Sequence, residues 1–365
     1  MGVRIADARS RAGKTQAQLA SEVSLDRSAV TKIENGTRRV SAIELARIAD
    51  ALDARIEWFV EEAPGAIVSR RNVQEPGAPS PRIDAVVERA ARNVEFALSH
   101  DKGFVLPSIS PLVRPATADS AEDAAMETRR LLDLGPNMPL TDVAHRLASI
   151  GLLAFSLDLG SDAADAATIL LRAGGVAVVN GHLQVGRRRL SIAHEIGHFV
   201  FADEYSVDWR IADQDDPGSW ESRLDRFARA LLLPELALRQ SWKTCERRSD
   251  SIRTAAVRTA SDFRVDMTTL SRRLLELGII GNDTAASIRS VRTTRSDIID
   301  LDLVVNDELA PPSLPRAYER SVLALYRNET IAGARAIDLL FDSLDEESLP
   351  ALPSLPADVI WQFVS

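Results

Sequence analysis

The sequence predicts a mostly helical α+β protein, and three observations carry that expectation. Residues 1 to about 62 hold four or five short amphipathic helices in succession, with few strand signals. Residues 152 to 185 hold short apolar, β-branched segments, followed at once by a helix-compatible run. Most of the remainder reads as helix, interrupted by Pro/Gly-rich stretches. At 365 residues the chain has room for two or three domains. Its 45% hydrophobic content is that of a soluble globular protein. The single cysteine, Cys245, excludes an intramolecular disulfide and fits a reducing compartment. Met1–Asp7 has no signal-peptide core, and no run is long and apolar enough to span a bilayer. The expectation is a cytoplasmic protein without membrane contact. The net charge of −9 is uneven: residues 296–365 carry 13 acidic and 4 basic residues, residues 1–60 carry 10 basic and 8 acidic. A net-acidic chain can therefore still present a locally basic N-terminal module.

In that module Ile5 and Ala8 share a face of the first helix. Thr15-Gln16-Ala17-Gln18 is a capping-box pattern opening a second, with Leu19, Ala20 and Val23 inward. Asp26 is placed to cap a third, containing Ala29, Val30 and Ile33, which Asn35-Gly36 ends. Ser41-Ala42-Ile43-Glu44 is a further capping box, ahead of Leu45, Ile48 and Leu52. The run from Lys14 to Ala20, with Leu25 to Arg39, resembles the phage-repressor (Cro/XRE-type) helix-turn-helix family across the whole module. The resemblance implies a third helix in the major groove, with Arg27, Ser28 and Lys32 toward bases or phosphates. Thr15 and Gln16 would meet the DNA backbone, and Arg38 and Arg39 the phosphates beyond. A small helical docking domain is the alternative. Asp26 and Glu34 temper the positive face, so DNA affinity is expected to rest on a homodimer.

Residues 61–81 read as a Pro/Gly-rich linker, and residues 82–99 as a helix suited to a spacer or a dimer contact. Helices follow through Ala124 to Leu132 and Leu140 to Ile150. Leu152–Leu157, Thr168–Leu171 and Val176–Asn180 read as strands, with Leu183-Gln184-Val185 extending the last hairpin. An exposed edge strand of such a sheet can pair with the backbone of an extended peptide. Val176–Asn180 is the candidate edge, and equally an ordinary core strand.

The run Arg187–Val200 contains His194-Glu195-Ile196-Gly197-His198, an H-E-x-x-H motif. On a helix the two histidines stand one turn apart on one face and can share a zinc ion, with Glu195 beside them as general base. Zinc sites of this kind use three protein ligands and lower the pKa of a bound water. For the third ligand, Asp203, Glu204 and Asp208 follow soon after, but Glu221 is the better candidate. It lies on an amphipathic helix from Ser219 to Pro234, one turn from Asp225, which is placed to accept a hydrogen bond from a ligand imidazole. The Arg187–His198 text, followed by the Glu221…Asp225-Arg226-Phe227-Ala228…Leu231-Leu232…Pro234 pattern, resembles the ImmA/IrrE family of zinc metallopeptidases over roughly residues 120–240. The resemblance implies His194, His198 and Glu221 as ligands and Glu195 as base in a zincin-like domain. Two departures stand out: leucine at 224, where alanine is usual, and aspartate at 225, where asparagine is frequent. Tyr205 and His182 are candidates for oxyanion stabilisation by proximity in sequence, against packing for the tyrosine and a turn or exposed role for the histidine.

Residues 241–283 are helical and basic, and Asp262–Ile280 looks like the helix-turn-helix-like segment that follows the peptidase in this family. It is a second DNA contact or the helical closure of the catalytic domain. In the acidic remainder, Asp297–Val305 alternates partly like a strand, Tyr318–Leu344 reads as helix, and Val359–Val364 is an apolar strip. The expected division is 1–62 DNA-binding domain, 63–118 linker and connecting helix, 119–240 metallopeptidase, 241–283 helix-turn-helix-like segment, and 284–365 an acidic α+β region. The expected function is zinc-dependent endopeptidase cleavage of a repressor-type protein, in trans or of the chain itself, controlling stress or mobile-element genes. The alternative is a DNA-binding regulator whose zinc site is weakly active or inactive.

Overall fold

The computed structural model describes residues 1–12, 14–52, 56, 59, 67–71, 81–202, 219–303 and 305–352. The chain divides into two compact units, 1–64 and 65–365. In the first, four helices, α1 (Gly2–Arg11), α2 (Gln16–Glu22), α3 (Arg27–Glu34) and α4 (Ala42–Ala51), enclose a core of Ile5, Leu19, Val30, Ile33, Leu45 and Ile48. Both capping boxes form. Thr15 Oγ1 accepts from the Gln18 amide (3.2 Å) while Gln18 Oε1 accepts from the Thr15 amide (2.8 Å), and Ser41 and Glu44 do the same for α4. Asp26 occupies the N-cap position of α3 but makes no side-chain capping bond.

The second unit is built on a four-stranded sheet ordered β1-β3-β4-β2, from β1 (Ile67–Arg71), β2 (Leu152–Leu157), β3 (Ala166–Leu170) and β4 (Gly175–Asn180). β2 and β4 run parallel; β3 runs antiparallel to β4, and β1 antiparallel to β3. Two expectations are corrected here. The stretch read wholly as linker contributes the edge strand β1. Val176–Asn180, the candidate edge, is interior, with all six residues of β4 buried between β3 and β2.

Strand alternation sorts the side chains onto two faces. Leu152, Ala154, Ala166, Ala177 and Val179 face a core shared with α8 (Val185–Val200) and α9 (Trp220–Leu232). These residues are mostly small, which lets a helix lie close to the sheet. Leu153, Phe155, Ala167, Ile169, Val176 and Val178 face a second core. That core is closed by α5 (Pro81–His100) and by α15 (Arg316–Arg327) and α16 (Gly333–Leu339) from the acidic C-terminal region. The apolar face of α5, which by sequence suits a spacer or a dimer surface, is therefore filled from within the chain: Ile83, Val87, Ala90 and Val94 are fully buried.

Around α8 and α9 stand α6 (Ala118–Leu131), α7 (Val143–Ser149), α10 (Glu235–Arg247), α11 (Ile252–Phe263) and α12 (Met267–Glu276), with α13 (Asn282–Arg289) against α12. Asp266 caps α12 as expected, accepting from the Thr269 amide at 2.8 Å. Two sequence expectations fail locally. Leu183–Val185 is a turn and the start of α8, not a strand. Asp297–Val305 begins inside a helix, α14 (Arg295–Asp300), because Thr294 and Asp297 form a capping box. Periodicity over so few residues does not separate the two states, whereas the cap does.

The Arg187-Arg188-Arg189 run anchors α8 by three separate carboxylates. Arg187 binds Asp165 in a fork (2.8 and 2.9 Å) just before β3. Arg188 and Arg189 bind Asp307 and Glu308 of the C-terminal region. Glu308 also accepts from the Val143 amide (2.8 Å) at the start of α7. The acidic tail, solvated charge by default from its composition, thus supplies counter-ions to a buried helix. The terminal strip Val359–Val364 lies outside the described residues.

Candidate metal centre and recognition helix

Thirteen of the 16 residues of α8 are buried, among them His194, Glu195 and His198 at 4%, 0% and 1% exposure. One helical turn separates the two imidazoles, and their Nε2 atoms lie 3.2 Å apart. A tetrahedral ion with two nitrogen ligands at about 2.0–2.1 Å would separate them by about 3.3 Å. The spacing is thus that of two lone pairs converging on one ion. Glu221 enters from the first turn of α9, its Oε2 3.2 Å from His194 Nε2. Among the described residues, His194, His198 and Glu221 form a group whose ligating atoms all lie within 4.8 Å of one another, and they can hold a metal ion. Burial pushes the Glu221 carboxyl up, but its hydrogen bond to His194 and the neighbouring His194 and His198 charges outweigh this and leave it below the ordinary glutamate value.

The close approach of α8 and α9 depends on a residue inside the motif. A Cβ on Gly197 would lie 2.7 Å from Leu224 Cδ2 and 3.2 Å from Phe227 Cδ1. Leu224, the larger residue where alanine is usual in the family resembled, sits in the space that glycine leaves. Phe201, at the end of α8, packs edge-on against Trp220 and Phe227 (centroids 5.5 and 5.3 Å) and fixes where α9 begins. The Ser219 side chain caps α9, accepting from the Ser222 amide at 3.2 Å.

Asp225 meets His194 as the sequence suggests: its Oδ1 lies 3.0 Å from His194 Nδ1, the ring nitrogen turned away from His198. Its charge is faced by one cation that sequence reasoning missed, in a link that runs on to a second helix. Arg229, one turn on, lies 3.8 Å from Asp225, and is itself held at 2.7 Å by Glu276 of α12. The i,i+4 acid–base spacing of Asp225 and Arg229 was the available signal. A second anchor ties the ligand helix down. Arg273, fully buried on α12, donates a fork to Glu122 (2.5 and 2.6 Å), which also receives Arg226 of α9 (3.0 Å). His182 is half-exposed, 3.3 Å from Asp158, in the turn before α8. Asp203, Glu204, Tyr205 and Asp208 lie outside the described residues.

In the first unit the side chains singled out for DNA fall into two groups. Arg27, Ser28, Lys32 and Arg39 are exposed. Thr15 is engaged in its capping box, Gln16 donates to Glu34 (2.7 Å), and Arg38 pairs with Glu44 (2.6 Å). Glu34, expected to temper the positive face, is buried and held in a fork by Arg9 (2.6 and 3.1 Å), so its charge is neutralised inside the unit. Four of the eight basic residues of segment 241–283 are paired within the unit: Arg253 with Asp297, Arg258 with Asp250, Arg264 with Glu308, and Arg273 with Glu122. That pairing suits closure of the second unit.

A small sheet followed by a buried helix that offers two imidazoles and a glutamate, with a carboxylate from the next helix, defines the H-E-x-x-H class of metal-binding domain. Comparison with family models is more specific. Residues 1–57 match a helix-turn-helix domain, and residues 148–275 match the IrrE N-terminal-like domain of a peptidase family. The chain thus joins an XRE-type, DNA-binding helix-turn-helix domain to an ImmA/IrrE-type domain. The second match runs through α12, so the helix-turn-helix-like segment falls largely within the same domain as the metal-ligand helices. Comparisons with curated proteins and with solved structures returned no match. No helix among the described residues is long and apolar enough to cross a membrane.

Proposed function

We propose that this chain is a zinc-dependent endopeptidase joined to a DNA-binding domain, and that it cleaves a repressor-type protein. The observation that carries the reading is the pair of Nε2 atoms 3.2 Å apart, with the Glu221 carboxylate beside them and Glu195 buried on the same helix. Two imidazoles and one carboxylate are a donor set that zinc takes in catalytic sites, leaving a fourth position open. Zinc bound there supplies Lewis acidity, polarising the scissile carbonyl and acidifying water. The rest falls to the chain. Glu195 takes the proton of the attacking water and returns it to the leaving nitrogen. Asp225, receiving Nδ1–H of His194, holds that ring with Nε2 as the lone-pair donor, and Arg229 stands one turn further on, on the side of the Asp225 carboxylate. A purely structural metal site has no use for a buried glutamate at position 195, and this favours hydrolysis over a regulator with an inert site.

In the first unit, α3 is the helix for the major groove. Arg27, Ser28 and Lys32 face the DNA, and Arg39 meets the phosphates. Thr15, Gln16 and Arg38 are tied into the fold and act by shaping that surface. Binding a two-fold operator would pair two copies of the chain.

The deciding experiment compares Glu195→Gln with the parent on candidate helix-turn-helix repressors, with bound zinc measured in both. Zinc content should be unchanged and the cleavage rate should fall roughly 10²- to 10⁴-fold. Equal cleavage by the two proteins at equal zinc would rule out the enzyme reading.

A further inference from the structure

The strand β1 has no place in the chemistry above, yet it occupies a significant position. It adds to the outer edge of β3, antiparallel, pairing Ile67 with Ile169, Ser69 with Thr168, Arg70 with Ala167 and Arg71 with Ala166. It also lies within 8 Å, Cα to Cα, of α8, the helix that carries His194, Glu195 and His198. Without β1, β3 would be the open edge of the sheet on the side of the metal-ligand helix. An open antiparallel edge is the ordinary receptor for an extended peptide, because its alternate amide and carbonyl groups have no other partner.

Taking the sheet edge as the place where a peptidase of this class pairs an extended substrate, we infer that Ile67–Arg71 fills the β3 edge from within, as a built-in competitor supplied by the chain itself. This rests on the peptidase reading for calling the edge a substrate site; the occupancy itself rests on the strand pairing. Three features suit a competitor that can be displaced. The strand is only five residues long. Its register slips between Ile67 and Ser69, which leaves the ladder irregular. It is tethered: nine residues, 72–80, connect it to Pro81, where α5 begins against the same sheet. A short tether gives a segment an effective concentration in the millimolar range. A substrate arriving in trans must exceed that, so only a tightly bound or locally concentrated substrate is admitted. Since β1 begins just after the end of the DNA-binding unit in sequence, it is the piece of the catalytic unit closest along the chain to that domain.

The test uses the full, zinc-loaded chain with Glu195→Gln, so that binding is read without hydrolysis. The probe is a fluorescent peptide with the sequence of residues 65–73. It is titrated against this protein and against the same protein carrying Ser69→Pro with Arg70→Pro. Consecutive prolines remove two successive amide donors, one of which must belong to the ladder. A version with 67–71 replaced by alternating glycine and serine serves as the second variant, and zinc content with circular dichroism reports folding in each. The peptide should bind both variants at least tenfold more tightly than the protein with its own strand intact. Amides in 166–170 should exchange with solvent at least tenfold faster in the variants. Equal peptide affinity across all three proteins, or unchanged exchange at 166–170 in folded variants, would overturn the inference. Neither readout involves cleavage, so a failed Glu195→Gln comparison leaves this result to be judged separately.

Discussion

The two helices that carry the residues proposed for DNA binding and for catalysis are built in opposite ways. Of the eight residues of α3, Val30, Ile33 and Glu34 are buried, while Arg27, Ser28 and Lys32 stand in solvent. In α8 thirteen of sixteen are buried, including every residue of the H-E-x-x-H motif. Recognition of a polyanion needs cations that remain hydrated and free to meet phosphates. Chemistry on a peptide bond needs a base and ligands in a water-poor surrounding, where electrostatic interactions are strong and geometry is fixed. The supporting ion pairs differ correspondingly. Arg9–Glu34 joins α1 to α3 within a small bundle. The pairs around α8 and α9 reach across the second unit, from Arg189 to Glu308 and from Arg273 to Glu122.

Four variants probe this contrast, beginning with the largest expected effect. Arg273→Ala removes a fully buried guanidinium from Glu122 and from the Leu233 carbonyl. Breaking a buried pair costs about 3–5 kcal/mol, and the value should lie toward the lower end because Arg226 remains on Glu122. Urea unfolding of the whole chain measures it; a loss under about 1 kcal/mol would place this pair with ordinary surface pairs. Asp225→Asn keeps the shape beside His194 and removes the charge. Zinc affinity should fall about 10- to 100-fold in chelator competition, and an unchanged affinity would mean that Asp225 does not tune the ligand. In α3, Arg27→Ala with Lys32→Ala should lower the salt dependence of DNA binding, by about one in the log–log slope for each phosphate that these side chains neutralise. Arg38→Ala should change that slope less, because Arg38 is already engaged with Glu44. The reverse order would assign the DNA surface to the loop after α3.

The four-helix bundle was legible because its signals are local: two capping boxes and a regular apolar spacing that the structure reproduces, apart from Ala29, which is only partly buried. The candidate metal site was legible because His194 and His198 are one turn apart and Glu221 and Asp225 are one turn apart, so each half is encoded within a single helix. What joins the halves was not. The contact of Gly197 with Leu224 and the Arg229–Glu276 link depend on which helices meet, and no spacing within one helix reports that. The same holds for β1, five residues in a Pro/Gly-rich stretch whose partner strand lies far along the chain. It holds too for the acidic tail, where composition suggested solvated charge while Asp307 and Glu308 are the counter-ions of buried arginines. Charge runs reveal sign but not partner.

The sheet has a further property that follows from what lies along its two sides. β1 covers the outer edge of β3, and at the opposite side Ser313 bridges Ser156 of β2 through paired amide–carbonyl bonds of 2.8 and 2.9 Å. A bare strand edge attracts the edges of other copies, which is how sheet proteins begin to aggregate. Any event that uncovers β3 for a substrate also exposes it to a second molecule of the same chain. Solubility and readiness to act are therefore opposed at one row of backbone amides, and prolonged opening of that row carries a risk of self-association.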